Sequence, residues 1–152
     1  MERRFAKIKW VMINSEKKIW VNGSFDVLHI GHIRLLEFAS KFGKVKVGID
    51  TDERINEKKG IGRPFNCLRD RMDFLMSIKY VDSVTYFGSD EELEEKIKEY
   101  NPDIMVIGSE YKYQRIVGAK YVPEIEFFEK IDGYSSTKIL SYESLSSWGK
   151  VF

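Results

Sequence analysis

Lys18-Ile19-Trp20-Val21-Asn22-Gly23-Ser24-Phe25-Asp26-Val27-Leu28-His29-Ile30-Gly31-His32 decides the fold. Lys18 to Val21 is a short β-prone run that Asn22-Gly23 closes. From Gly31 to Phe42 the period changes to helical, with Leu35, Leu36, Ala39 and Phe42 on one face and Gly43 as a stop. A strand that turns tightly into a helix is the opening unit of an α/β domain.

The same alternation continues down the chain. Val45 to Ile49 reads as a second strand, and Asn66 is placed to cap a helix reaching about Tyr80, with Leu68, Met72, Leu75 and Ile78 inward. Ser83 to Phe87 is a third strand. Ser89 and Glu92 form a capping box opening an acidic helix that Pro102 ends after Tyr100. Ile104 to Ile107 and Glu124 to Glu129 read as the fourth and fifth strands, and a final helix starts at Ser135. Short apolar strands alternating with helices predict a Rossmann-like, doubly wound α/β fold: a parallel five-stranded sheet with helices on both faces. Residues 1–152 are expected to form one domain, with 1–17 as an N-terminal extension. In such a sheet ligands bind outside the carboxyl ends of the strands, where strand order reverses.

Composition narrows the function classes. With 25 basic and 24 acidic residues the formal net charge is +1, which gives no electrostatic case for a nucleic-acid partner. Cys67 is the one cysteine, so no intramolecular disulfide or CxxC metal pattern is expected. Met1-Glu2-Arg3-Arg4 superficially resembles the start of a signal peptide, but Lys7 and Lys9 interrupt the apolar stretch behind it. No run approaches the ~18 apolar residues of a membrane span, so the expectation is a cytoplasmic protein with no membrane partner.

Two sites carry chemistry. His29 and His32 flank Gly31 where a helix begins, and a helix start offers unpaired N–H groups and the positive end of its dipole to phosphate. Gly23 permits the tight turn and Gly31 a close approach to the backbone. A metal reading of the pair lacks a third ligand, because these are the only two histidines; plain surface polarity is the other competing reading. Ser135-Ser136-Thr137, at the start of the last helix, offers three hydroxyls to phosphate oxygens; alone it is also what an ordinary N-cap looks like.

Together, Gly23-Ser24-Phe25-Asp26-x-x-His29-x-Gly31-His32 and Ser135-Ser136-Thr137 resemble the cytidylyltransferase-type nucleotidyltransferases, over roughly Lys18 to Tyr142. The resemblance implies that His29 and His32 contact a nucleoside triphosphate and stabilise charge at its α-phosphorus. It implies that Ser135, Ser136 and Thr137 hold the distal phosphates, and that Gly23, Ser24, Phe25, Asp26 and Gly31 line the nucleotide site with Gly108, Glu110 and Tyr111. Mg²⁺ is expected to ride on the phosphates of ATP or CTP, without a protein metal site. A homodimer is what the family commonly forms.

Lys59-Gly60-Ile61-Gly62-Arg63-Pro64-Phe65-Asn66 with Arg71-Met72, Gly108-Ser109-Glu110-Tyr111-Lys112, Ile116 to Lys120 and Gly133-Tyr134-Ser135 look closest to the heptose 1-phosphate adenylyltransferases. Asp50-Thr51-Asp52-Glu53 and Tyr80-Val81-Asp82 suggest the glycerol 3-phosphate cytidylyltransferases instead, although Lys130-Ile131-Asp132-Gly133-Tyr134 lacks their arginine. Ser109-Glu110 stands where the heptose enzymes have Gly-Asp. Flavin mononucleotide is a third acceptor known for the parent family. The cations between residues 50 and 71 read as a loop closing over bound phosphates, with acidic neighbours that also allow a solvated surface. Lys58 is assigned with the two histidines to catalysis. Asp52, Lys59, Arg63, Arg71 and Lys130 are assigned to the phosphorylated acceptor. A silent nucleotide-binding module is the non-enzyme alternative. An oxidoreductase would need GxGxxG after the first strand, and Gly60-Ile61-Gly62 does not supply it, since Phe follows at position 65.

Overall fold

A computed structural model describes residues 17–130, 133 and 135–145 of the chain. The expected N-terminal extension, the C-terminal tail and the motif positions Ile131, Asp132 and Tyr134 lie outside the described residues.

The five strands are β1 (Lys18–Gly23), β2 (Lys44–Asp50), β3 (Ser83–Phe87), β4 (Ile104–Gly108) and β5 (Glu124–Phe128). They pair in parallel in the order β3-β2-β1-β4-β5, so the order reverses between β1 and β4. The helices are α1 (Ile30–Ser40), α2 (Asp52–Lys59), α3 (Leu68–Met76), α4 (Asp90–Tyr100) and α5 (Ser136–Leu145), with 3₁₀ turns at Ser109–Tyr111 and Ala119–Tyr121.

Strand alternation divides the core. Ile19, Val21, Val45, Val47, Ile49, Ile104 and Val106 face Leu36 and Ala39 of α1 and Leu75 of α3. Trp20, Phe87 and Met105 point the other way, against Leu93 and Ile97 of α4. Helices therefore cover both faces, as the alternating pattern requires. Gly48 is needed inside β2: a Cβ there would lie 2.5 Å from Trp20 Cζ2.

Four local readings are corrected. Asn66 does not cap α3; Cys67 is the N-cap, while the Asn66 amide donates to the Asp26 carbonyl at 2.7 Å. The helix also stops at Met76, although Ile78 still packs on the core. The stretch after β2 is not all loop, because α2 occupies residues 52–59. Thr51 caps it by accepting the Arg54 N–H at 3.3 Å, Asp52 and Glu53 sit in its first turn and Lys58 and Lys59 in its last. Those charges complement the helix dipole. Its single buried residue, Ile55, leaves no apolar period to detect. At α4 the Ser89 hydroxyl accepts the Glu92 N–H at 3.1 Å as expected, but the Glu92 carboxylate takes the Gly88 N–H at 2.7 Å, one residue before the cap. That helix closes on Asn101 in the left-handed region, just before Pro102.

Candidate active site

The turn leaving β1 is held in an unusual conformation. Phe25 adopts φ +48° and folds its ring over Gly23, where an added Cβ would come within 3.2 Å of that ring. The chain then enters α1 through a cap made by two histidines. His29 Nδ1 accepts the Gly31 N–H at 3.0 Å, and the His29 N–H donates to His32 Nδ1 at 3.2 Å. The rings stack with centroids 3.9 Å apart, and Phe25 lies 5.0 Å beyond His32. Because each Nδ1 accepts a backbone hydrogen bond, each neutral ring must carry its proton on Nε2.

Electrostatics keep the rings neutral. Burial, then the neighbouring His29, Lys59 and Lys130, push the His32 pKa down from 6.5 to about 3. Burial and Lys130 lower that of His29. The unfolded chain therefore takes up the His32 proton first as pH falls. The stability contributed by a neutral His32 is complete above about pH 6.5 and is lost on going down towards pH 3. Urea unfolding at pH 7 and pH 5 is expected to show a decline of up to about 1.4 kcal/mol per pH unit from this group. His32→Gln should remove that part of the slope; an unchanged slope would mean that His32 is not held neutral.

Around the turn lies a cavity of about 380 Å³ at the carboxyl ends of β1 and β4, where strand order reverses. Gly23, Ser24, Phe25, Asp26, Gly31 and both histidines line it from the β1–α1 side. Gly108, Glu110 and Tyr111 line it from the end of β4, with Lys130 beyond β5 and Ser135, Ser136 and Thr137 at the start of α5. Lys59, at the end of α2, also reaches the wall. All the positions expected to bind nucleotide thus share one cavity with the two histidines.

Several of these groups are already engaged. The Ser135 hydroxyl accepts the Lys138 N–H at 3.0 Å, which is the N-cap role. The Ser136 hydroxyl donates to the Val27 carbonyl at 2.7 Å and accepts the Val27 N–H at 3.2 Å, fastening α5 to the β1–α1 turn. Asp26 is buried and acts as a clasp: its carboxylate accepts the N–H groups of Phe65 and Asn66 and the Arg63 Nε, each at 2.8–3.0 Å. Burial works to raise its pKa, but those donors outweigh it and hold the carboxyl below its ordinary range. Glu110 folds its carboxylate back over Gly108, so closely that a Cβ there would overlap it, and lies 3.8 Å from Lys130.

The remaining assigned residues fall outside the cavity wall. Lys58 points to Asp50 at 3.9 Å with its side chain 57% exposed, so the end of α2 brings Lys59 to the cavity and turns Lys58 away. Partial burial and the nearby Arg63 lower the Lys59 pKa. Arg71 is fully buried and spends its guanidinium on the carbonyls of Ser24, Asp50 and Asn66 and on Asp52, so neither Arg71 nor Asp52 lines the cavity. Arg63 sits behind the wall, between Asp26 and Thr137. Sequence reasoning missed Asn22, Val106, Ile107 and Phe128, which also line the cavity. Part of the signal was available: Asn22 and Ile107 stand one residue before the ends of β1 and β4, the strands that flank the reversal, whereas Val106 lies mid-strand and Phe128 ends β5, one strand further out. Among the described residues no group of three or more His, Cys, Asp or Glu is arranged to hold a metal, and no helix is long and apolar enough to cross a membrane.

Comparison with known proteins agrees with the geometry. The family description cytidylyltransferase-like matches residues 20–141. The bifunctional protein HldE of Campylobacter fetus is 39% identical over 124 residues, covering 81% of this chain and 27% of that protein. HldE of Sulfurimonas denitrificans is 35% identical over 136 residues, covering 89% of this chain and 28% of its own length. The chain thus spans less than a third of these curated relatives. Among solved structures, a lipopolysaccharide core biosynthesis protein of Thermoplasma volcanium superposes with a TM-score of 0.63 at 24% identity, over 76% of this chain and 98% of that one. A pantothenate synthetase of Thermus thermophilus follows at 0.54 and 14%, over 82% of this chain and 60% of that one; both show the fold. With the family description spanning most of its length, the chain belongs to the cytidylyltransferase-like family and is a nucleotidyltransferase.

Proposed function

We propose that the chain transfers a nucleoside monophosphate from a triphosphate to the phosphate of a small sugar-type acceptor, and that the pair is ATP and heptose 1-phosphate. The observation that carries this reading is the double-histidine cap. Two stacked neutral imidazoles, with both Nδ1 atoms accepting backbone N–H groups, carry their protons on Nε2 at the wall of the cavity. Such donors suit the oxygens of an α-phosphate, on which negative charge builds during transfer.

In the reaction an acceptor phosphate oxygen attacks the α-phosphorus in line. The new P–O bond forms as the bond to the β-phosphate breaks, and that bridging oxygen leaves with pyrophosphate. A phosphate monoester is already ionised near neutrality, so no strong base is called for and the work is alignment of two anions. His29 and His32 hold the transferring group and the start of α5 takes the distal phosphates; Lys130, assigned from the sequence to the acceptor, is moved to the distal phosphates in this reading because it lies close enough to lower the pKa of both histidines. Mg²⁺ carried on the triphosphate would neutralise part of its charge. The choice of ATP and heptose 1-phosphate is supported by the sequence likeness around Arg63, Gly108 and Gly133 described above. In this reading the enzyme works in the cytoplasm, where nucleoside triphosphates are plentiful.

Incubating the protein with Mg²⁺, ATP or CTP, and heptose 1-phosphate, glycerol 3-phosphate or flavin mononucleotide tests it, with pyrophosphate as the readout. ATP with heptose 1-phosphate is expected to release pyrophosphate. Release only from CTP and glycerol 3-phosphate would overturn the substrate assignment and keep the chemistry. No release from any pair, with no triphosphate binding by calorimetry, would overturn the reading.

A further inference from the structure

β2 breaks a rule of its own sheet. A strand with parallel neighbours on both sides is ordinarily apolar on both faces. β2 lies between β3 and β1, yet Lys46 stands in it, in register with the fully buried Trp20. That register puts Lys46 on the face of the sheet that Trp20 occupies, with Lys18 of β1 and Thr85 of β3 on the same side. Leu93 and Ile97 of α4 pack on Trp20, Phe87 and Met105 there, and the last turns of α4 bring Lys96, Glu99 and Tyr100 beside Lys46. Together these residues line a second cavity, of about 300 Å³, towards the amino ends of β1–β3. It shares no residue with the cavity around His29 and His32, which lies at the carboxyl ends of the strands.

Three lysines face this cavity against one carboxylate, and all three are partly buried. Lys18 Nζ donates to the Tyr100 carbonyl at 2.8 Å, at the negative end of the α4 dipole. Lys46 Nζ lies 5.0 Å from the centre of the Tyr100 ring, and Lys96 Nζ 5.6 Å from that of Tyr86. Among the described residues none of the three lysines joins an ion pair. The other carboxylates close to Tyr100 are engaged by the backbone: Asp82 accepts the Val45 N–H at 2.7 Å and Asp103 the Lys18 N–H at 2.8 Å. The chain ends offer no acidic complement either. Residues 1–16 hold Arg3, Arg4, Lys7 and Lys9 against Glu2 and Glu16, and residues 146–152 hold Lys150 alone. Like charges held together in a partly desolvated pocket repel one another until an anion joins them.

We propose that this second cavity binds the phosphate monoester of a small hydroxylated molecule. Lys18, Lys46 and Lys96 take the phosphate. Three ammonium groups less the Glu99 carboxylate leave an excess of two positive charges, and a phosphate monoester carries about −2 near neutrality. Glu99 and Thr85 take the other end. A carboxylate repels a bare polyanion but accepts hydrogen bonds from hydroxyls, so the pair selects a ligand that is anionic at one end only. The concave shape and small volume suit a metabolite and leave little room for a folded partner. Because the two cavities share no wall, the proposal does not depend on the nucleotidyl-transfer reading.

The test acetylates the lysines of the full chain with and without glucose 6-phosphate at up to about 10 mM, and follows each lysine by mass spectrometry. The sugar phosphate is expected to slow acetylation of Lys18, Lys46 and Lys96 by about threefold or more and to leave the exposed Lys41 and Lys79 unchanged. Lys46→Met and Lys96→Met are each expected to raise the concentration that half-protects the other two lysines by about tenfold or more. The two substitutions lie on different elements, so a folding defect in β2 leaves the α4 variant to decide. Protection confined to Lys59 and Lys130 would place the ligand in the catalytic cavity and overturn the proposal. Half-protection unchanged in both variants would overturn it as well. Equal protection by inorganic phosphate would overturn the role given to Glu99 and Thr85. Protection by a polyglutamate peptide and not by glucose 6-phosphate would make the cavity a seat for an acidic polypeptide and overturn the small-molecule assignment. No step needs turnover, so failure of the transfer reaction and failure of this site are read separately.

Discussion

His32→Gln is expected to lower kcat by about 10²-fold or more while the protein keeps its fold and most of its affinity for triphosphate. The choice of glutamine follows from the cap. His32 Nδ1 accepts the His29 N–H, and Gln at this third helical position can supply an amide oxygen in its place, as it does in ordinary capping boxes. What it does not restore is a donor where the imidazole carries Nε2–H. His32→Ala should show the same loss of kcat together with a lower Tm, because it also leaves the His29 N–H without its acceptor and opens space beside Phe25. Comparing the two variants separates chemistry from folding. Since the His32 pKa lies near 3, no step in kcat from this group is expected between pH 5.5 and 8 in the unloaded-site picture. A Gln variant with wild-type kcat would remove His32 from the transfer step.

The extent to which this could be seen in advance differed between the two halves of the argument. Strands were legible because buried parallel strands are short apolar runs, as in Ile104 to Ile107, and their boundaries were found to within a residue or two. Helix α2 was not, because a surface helix with Ile55 as its one buried residue has no period, only a Thr51 cap and an ordered charge sequence. The cavity residues next to His29 and His32 were legible through motif spacing and through the rule that ligands sit at the strand-order reversal. The cations between residues 50 and 71 were harder. Their charge marks all of them alike, while their location depends on how α2 and the following turn are wound. That winding brings Lys59 to the cavity, leaves Lys58 in solvent and buries Arg71 altogether. The double role of Asp26 as clasp for residues 63–66 was equally invisible, because it depends on contacts about 40 positions apart in the chain.

The largest effect on stability is expected from that buried arginine. Arg71 Nε donates to the Asn66 carbonyl at 3.0 Å, Nη1 to the carbonyls of Ser24 at 2.9 Å and Asp50 at 2.8 Å, and Nη2 to Asp52 Oδ1 at 2.6 Å. One side chain thereby joins the turn after β1, the end of β2, the first turn of α2 and the approach to α3. Arg71→Met fills similar length but abandons three carbonyls and a carboxylate, and removing one member of a buried charged network costs about 3–5 kcal/mol. For a chain of this size each kcal/mol moves Tm by about 2–4 °C, so the expected fall is roughly 10–15 °C. Arg71→Lys should recover only part of it, since a single ammonium cannot meet acceptors spread around a planar fork. Thermal unfolding followed by circular dichroism measures both; a fall under about 3 °C for Arg71→Met would show that the network contributes little. Because Arg71 fastens Ser24 on the nucleotide side and Asn66 on the segment clasped by Asp26 together, whatever Arg71→Lys enzyme remains folded should show KM raised for both substrates.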